Sequence, residues 1–199
     1  MSQKYPVKDV VLPKDLKGCT NGKLPKEVLR KTTPYGEAHW LADQAWKAMC
    51  AAAKADGLNL THVGAYRPFT DQLKMFKSRY KLVKQSRNIS RTWKNQTWWL
   101  IDGVAPSSSP GGSNHGWGIA YDAACLVGKK VLPITADPDG RGTLKSGLEW
   151  LLKNADRFGF SWEVREGAQA EAWHIRYYCG DNIPQAVKDF VASQPPKSR

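Results

Sequence analysis

The chain has 199 residues, 41% of them hydrophobic, with nine tryptophans, so one globular domain with a well-filled core is expected. Thirty Lys and Arg against 18 Asp and Glu leave a net charge of +12, which points to a polyanionic partner. Nucleic acid and an anionic cell-wall surface attract a basic protein through the same long-range field, so charge alone does not choose between them.

The opening MSQKYPVKDVVLPKDLKGC has no apolar stretch of signal-peptide length, and no later window approaches the roughly 20 apolar residues of a membrane span. Synthesis in the cytoplasm with no transmembrane segment is the expectation. Cys19, Cys50, Cys125 and Cys179 stand far apart with no CxxC pair, which excludes a zinc knuckle or a local redox motif and predicts reduced, structural thiols.

In chain order, residues 1–33 are rich in Lys, Pro and Gly and read as an extended segment wrapping the single domain formed by residues 34–199. The Ala-rich run from Tyr35 to Asp56 places Leu41, Ala45, Ala48, Met49 and Ala52 at helical spacing before Gly57, and predicts a helix. LNLTHVGAY (58–66) predicts a strand ending at Arg67-Pro68, followed by a second helix capped by Thr70 and reaching Val83. Residues 84–117, with APSSSPGGSN and Trp93, Trp98 and Trp99, suggest a long ordered loop or irregular hairpin.

GIAYDAACLV (118–127) predicts a strand. Residues 143–159 predict an amphipathic helix with Thr143 as N-cap, Leu144, Leu148, Leu151, Leu152, Ala155 and Phe158 inside, and Gly159 as its stop. AEAWHIRYY (170–178) reads as a further strand and 183–193 as a short terminal helix. Helices mixed with hairpin-like strands predict an α+β class with a central antiparallel sheet flanked by helices.

Alternation along the 118–127 strand puts Ala120, Asp122 and Ala124 on one face and Ile119, Tyr121 and Ala123 on the other. Small residues beside Asp122 leave room for a bulky object on that face, and Gly116 and Gly118 let His115 turn toward it. In EAWHIRYY the His174 imidazole faces opposite to Trp173 and Ile175, which can anchor the strand in the core, while Glu171 lies at the strand's mouth. Two histidines and one carboxylate with an open fourth position match a catalytic zinc site, and Glu171 is the general base beside it.

SNHGWGIAYD and EAWH resemble, in the same order, the SxHxxGxAxD and ExxH motifs of the LAS zinc peptidases. AYRPFTDQ and FGFSWE extend the likeness to the VanY-like D-alanyl-D-alanine carboxypeptidase family across roughly residues 35–180. The resemblance implies the LAS/hedgehog-like fold, one zinc ion held by His115, Asp122 and His174, and Glu171 as catalytic base. It further implies Arg67 as a substrate-binding residue that stabilises the developing oxyanion, with Ser113 and Gln72 as substrate-binding or supporting residues. NGKLPKEVL near the start and WKNQTWWL before PGGSNHGWG are similar to phrases of phage endolysin peptidases.

The implied function is hydrolysis of peptidoglycan stem peptide, as an L-alanyl-D-glutamate endopeptidase that lyses the cell wall after release, acting as a monomer. The alternative within the family is a D-alanyl-D-alanine carboxypeptidase or dipeptidase. A non-catalytic zinc-containing wall-binding protein is the alternative of another class, which Glu171 counts against. A nucleic-acid binder is not expected, because no helix-turn-helix, zinc-finger or RRM signature accompanies the charge. His39 and His62 read as core histidines, and Lys74, Lys77, Lys81 and Lys84 as an exposed helix face.

Overall fold

A computed structural model describes residues 4–134, 142–166 and 170–195. The elements in chain order are β1 (Leu29–Lys31), β2 (Glu37–His39), α1 (Trp40–Ala55), β3 (Leu60–Gly64), α2 (Phe69–Arg79), β4 (Tyr80–Lys81), β5 (Ser90–Trp93) and β6 (Gln96–Leu100). They continue as β7 (Ala120–Val127), β8 (Lys130–Pro133), α3 (Gly142–Asn154), β9 (Phe160–Trp162), β10 (His174–Tyr177) and α4 (Gln185–Ser193). The main sheet runs β3-β7-β10-β9, with β8 pairing β7, and every pairing in it is antiparallel. The α+β expectation with a central antiparallel sheet therefore holds.

One face of the main sheet is closed by α1, α3 and α4. Alternation along β7 sends Tyr121, Ala123 and Cys125 into this core, where Trp46 of α1 stacks on Tyr121 with ring centroids 4.4 Å apart. Full burial of side chains of this size contributes about 1.5–3 kcal/mol each. Asp122 is left on the opposite face of the strand.

The N-terminal segment runs along the β9 edge of the sheet. Tyr5 N donates to the Arg165 carbonyl, Val7 bridges Trp162 and Val11 bridges Cys179. All four cysteines are free thiols. Among the described residues no helix is long and apolar enough to cross a membrane.

Several element boundaries differ from the expectations, each for a local reason. The first helix starts at Trp40 because Glu37–His39 pairs with Leu29–Lys31, and the His39 ring accepts from Leu41 N as the cap. Thr70 is not a cap: α2 has Pro68 in that position without a side-chain hydrogen bond, and it ends at Arg79 because Tyr80–Lys81 joins a strand pair. Residues 84–117 hold two strands of a three-stranded sheet, β4-β6-β5, whose β5–β6 turn places Lys94 and Asn95 at φ of 51° and 58°. Two successive positive-φ residues are the type I′ geometry that matches strand twist.

This small sheet and α2 share a second core of Phe76, Tyr80 and Leu100, packed by Trp93 and Trp98. The third helix begins at Gly142, so Thr143 lies within it, and the side chains of Thr143 and Leu144 fall outside the described residues. Its last turn, Ala155–Phe158, is 3-10 and stops at Gly159 in the left-handed region. Finally, β10 begins at His174, so Glu171 and Trp173 precede the strand; Trp173 is half-buried and lines the cleft while it packs on the core edge.

Candidate metal centre and active-site cleft

Asp122 sits at the middle of the sheet face left free by the helices. Its Cα partners are His174 on β10 and, across an irregularity between His62 and Gly64, Gly64 on β3. A side chain at position 64 would collide with the carboxylate, since a Cβ there would stand 2.5 Å from Asp122 Oδ2. Gly64 therefore makes the space in which the carboxylate stands.

His115 reaches the same point from the 3-10 turn Asn114–Trp117, which Gly118 ends at a φ of 66°. The turn is tied down on several sides. Gly22 N donates to the Gly116 carbonyl, Arg67 N donates to the His115 carbonyl at 3.0 Å, and Asn21 Nδ2 donates to the Ser113 carbonyl at 2.8 Å. A Cβ at Gly116 would overlap the Asn21 amide, so this close approach needs glycine.

The imidazole orientations decide what the cluster can hold. His115 Nδ1 lies 2.7 Å from the Ala65 carbonyl, an acceptor, so this nitrogen carries the hydrogen and Nε2 presents a lone pair. That Nε2 is 3.2 Å from Asp122 Oδ1. His174 Nδ1 is also 3.2 Å from Asp122 Oδ1, and its Nε2 is 3.4 Å from Glu163 Oε2. Outer acceptors thus turn acceptor atoms of both rings toward an acceptor oxygen, an arrangement that demands a cation at their centre.

The proton balance of the cluster shows the same demand. With no metal bound, burial pushes the Asp122 carboxyl up, but a proton shared with the His115 and His174 imidazoles beside it holds it far below the usual carboxylate range. Burial pulls the His174 imidazole down, yet Asp122 and Glu163 outweigh it and raise it to about 9. Burial lowers His115 against the pull of Asp122. A proton held among three groups occupies the place a divalent cation takes when it binds, with release of that proton. One ligand atom from each of His115, Asp122 and His174 lies within 4.8 Å of the others, so this donor set fits a metal of the zinc type.

A cleft of about 330 Å³ opens over this centre. Glu171 enters it just ahead of β10, its own carbonyl accepting from His174 N at 3.2 Å, and burial raises its carboxyl pKa. Arg67 follows β3 and lines the cleft, with Nη2 3.9 Å from Asp122 Oδ2 and Nη1 donating to Gln72 Oε1 at 3.1 Å. Gln72 is 2% exposed and donates to the Ser108 carbonyl at 2.7 Å, so it holds Arg67 from behind the cleft rather than lining it. Ser113 lines the cleft floor and is 4% exposed.

Sequence reasoning brought all seven of these residues forward and missed four others. Glu163 and Asn21 stand inside the FGFSWE and NGKLPKEVL segments but were not singled out there, and Arg79 and Arg91 lie in no such segment; the pairing of Glu163 with His174 follows from the register Ile175 to Trp162 between β10 and β9. His39 and His62 are the buried core residues expected. His39 Nε2 meets Asp15 at 2.9 Å, whereas neither ring nitrogen of His62 has a hydrogen-bond partner among the described residues.

The family model described as VanY, D-alanyl-D-alanine carboxypeptidase, matches residues 37–181. No curated protein matches the sequence. Among solved structures, a vancomycin-resistance D,D-pentapeptidase VanY variant in complex with Zn(II) is similar, with a TM-score of 0.50, 18% identity, and coverage of 85% of this chain and 88% of that one. VanYB in complex with D-alanine-D-alanine has a TM-score of 0.47 at 18% identity, covering 84% and 89%. The LdcB LD-carboxypeptidase has a TM-score of 0.45 at 20% identity, covering 85% and 75%.

Proposed function

The chain belongs to the VanY D-alanyl-D-alanine carboxypeptidase family, and from that premise we propose that it is a zinc peptidase that hydrolyses the stem peptide of bacterial peptidoglycan. The observation that carries this reading is the convergence of His115 Nε2 and His174 Nδ1 on Asp122 Oδ1, each at 3.2 Å, with the opposite ring nitrogens held by Ala65 and Glu163. These three residues would hold the ion. Bound there, zinc would lower the pKa of a water to roughly 7 and polarise the peptide carbonyl.

The chain's own groups supply the rest. The Glu171 carboxylate accepts the proton of the attacking water and returns it to the leaving amine; the burial that raises its pKa suits both roles. The Arg67 guanidinium, fixed by Gln72, offers donors to the oxygen on which negative charge develops. Ser113 contributes its position on the cleft floor. The net charge of +12 favours an anionic wall as the working surface.

Family membership moves the preferred bond from L-alanyl-D-glutamate, expected from the sequence, to the terminal D-alanyl-D-alanine linkage. Mass spectrometry of purified peptidoglycan and of a stem pentapeptide after incubation, with and without chelator, tests both the class and the bond. Release of D-Ala that chelator abolishes is expected. A new amine on D-Glu would transfer the activity to the endopeptidase reading, and unchanged substrate in every case would remove the peptidase reading.

A further inference from the structure

Beside Arg67, which follows β3 of the main sheet, the cleft holds two cations from another part of the fold than its acids. Asp122, Glu163 and Glu171 belong to the main sheet and its connections, whereas Arg79 stands at the end of α2 and Arg91 on β5, in the hairpin sheet. Both arginines line the cleft and are half-buried. Arg67 has Asp122 and Gln72 as partners, but among the described residues no carboxylate lies within 4.0 Å of Arg79 or Arg91.

What holds these two guanidiniums is backbone. Arg79 Nη1 donates to the Pro106 carbonyl at 3.0 Å and Arg91 Nη1 to the Ser90 carbonyl at 3.4 Å. A guanidinium has five N–H donors, so most of the fork on each side chain stays available. The charge of Arg79 is felt at both Arg67 and Glu171, which brings it into electrostatic range of the reacting groups. Two partly desolvated cations without a counter-ion, in a cleft that accepts a ligand, favour an anionic group on that ligand, and the guanidinium fork fits a carboxylate.

We propose that Arg79 and Arg91 form a carboxylate-binding subsite that recognises a non-reacting carboxylate of the peptide, separate from the group bound by Arg67. The ligand's identity as a stem peptide rests on the peptidase reading; the subsite itself rests on the two arginines. The β5–β6 hairpin thereby serves as part of the substrate site, and its tryptophan packing against Phe76 holds Arg91 in place.

The test measures binding by titration calorimetry on zinc-loaded Glu171→Gln protein, so that turnover does not interfere. The probes are the pentapeptide L-Ala-γ-D-Glu-L-Lys-D-Ala-D-Ala and two analogues, one amidated at the D-Glu carboxyl and one at the C-terminus. One amide analogue is expected to bind about tenfold or more weakly than the free acid. Adding Arg79→Ala and Arg91→Ala should bring the acid down to the affinity of that analogue and leave the analogue itself unchanged. Arg91→Ala alone, on the peripheral hairpin, should lose part of the ratio and guards against a folding defect in the double variant.

An unchanged acid-to-amide ratio in the arginine variants, or equal binding of all three probes by the parent, would overturn the subsite. Turnover by the wild-type chain is scored separately. Discriminating binding without turnover would keep the subsite and remove the peptidase, and turnover without discrimination would do the reverse.

Discussion

The Glu163 carboxylate stands 3.4 Å from His174 Nε2, on the side of the ring away from Asp122. This contact fixes which ring nitrogen carries the hydrogen and leaves Nδ1 as the ligand atom. Glu163→Ala is therefore expected to weaken zinc binding about 10- to 100-fold, with Glu163→Gln keeping the contact through its carbonyl oxygen and losing less. Competition with a chromophoric chelator measures both. Equal affinity in wild type and Glu163→Ala would remove Glu163 from the support of the metal.

The ligand set and the base should separate cleanly. His115→Ala, Asp122→Ala and His174→Ala are expected to purify without stoichiometric zinc, whereas Glu171→Ala should retain one zinc ion per chain and lose turnover by a factor of about a hundred or more. Metal content by plasma mass spectrometry, read beside peptide hydrolysis, checks the pair. Full zinc in the three ligand variants would refute the site. Undiminished hydrolysis by Glu171→Ala would refute the base.

Gly64→Ala probes the same centre without touching a ligand. The added methyl would stand 2.5 Å from Asp122 Oδ2, so the carboxylate must move or the β3–β7 pairing must open. A loss of zinc affinity comparable to removing an outer partner, about tenfold or more, is the expected result. Wild-type affinity and stability in this variant would show that Asp122 is not fixed as described.

His62 gives the acid side of the stability curve. Burial among Trp46, Tyr35 and Tyr121 pushes its pKa down to about 4, against smaller upward pulls from the Thr33 backbone, which lies outside hydrogen-bonding geometry, and from Asp122. The unfolded chain binds this proton near pH 6.5, so as pH falls from 6.5 toward 4 the unfolded state gains protons that the fold refuses, and stability falls. The contribution has a limiting slope of about 1.4 kcal/mol per pH unit. Urea titrations of wild type and His62→Phe across this window should show a shallower pH dependence in the variant. His39, lowered by burial as well, leaves part of the slope behind. Identical slopes would show that His62 takes up its proton in the fold.

The metal centre was legible in the sequence because it is built from local spacing on strands. Period-2 alternation along β7 separates Asp122 from Tyr121 and Ala123, and the glycines around His115 mark its turn. What escaped was placed by pairing between distant segments. Glu163 meets His174 only through the β9–β10 register, and Arg91 joins Arg79 at the cleft only because the hairpin packs on α2. The helix starting at Trp40 rather than Tyr35 has the same origin, since strand pairing with Leu29–Lys31 overrides an alanine-rich run. A hairpin was one of the two readings of residues 84–117, but its turn at Lys94-Asn95 was not placed because this dipeptide is a weaker signal for paired positive φ than Asn-Gly.

The most direct measurement is a crystal structure of the zinc-loaded protein with anomalous data collected at the zinc edge. One anomalous peak is expected among His115 Nε2, His174 Nδ1 and the Asp122 carboxylate, with ligand distances of about 2.0–2.2 Å and Glu163 still on the far side of His174. A peak elsewhere, or a zinc ion bound through Glu163 in place of Asp122, would contradict the assignment of the centre.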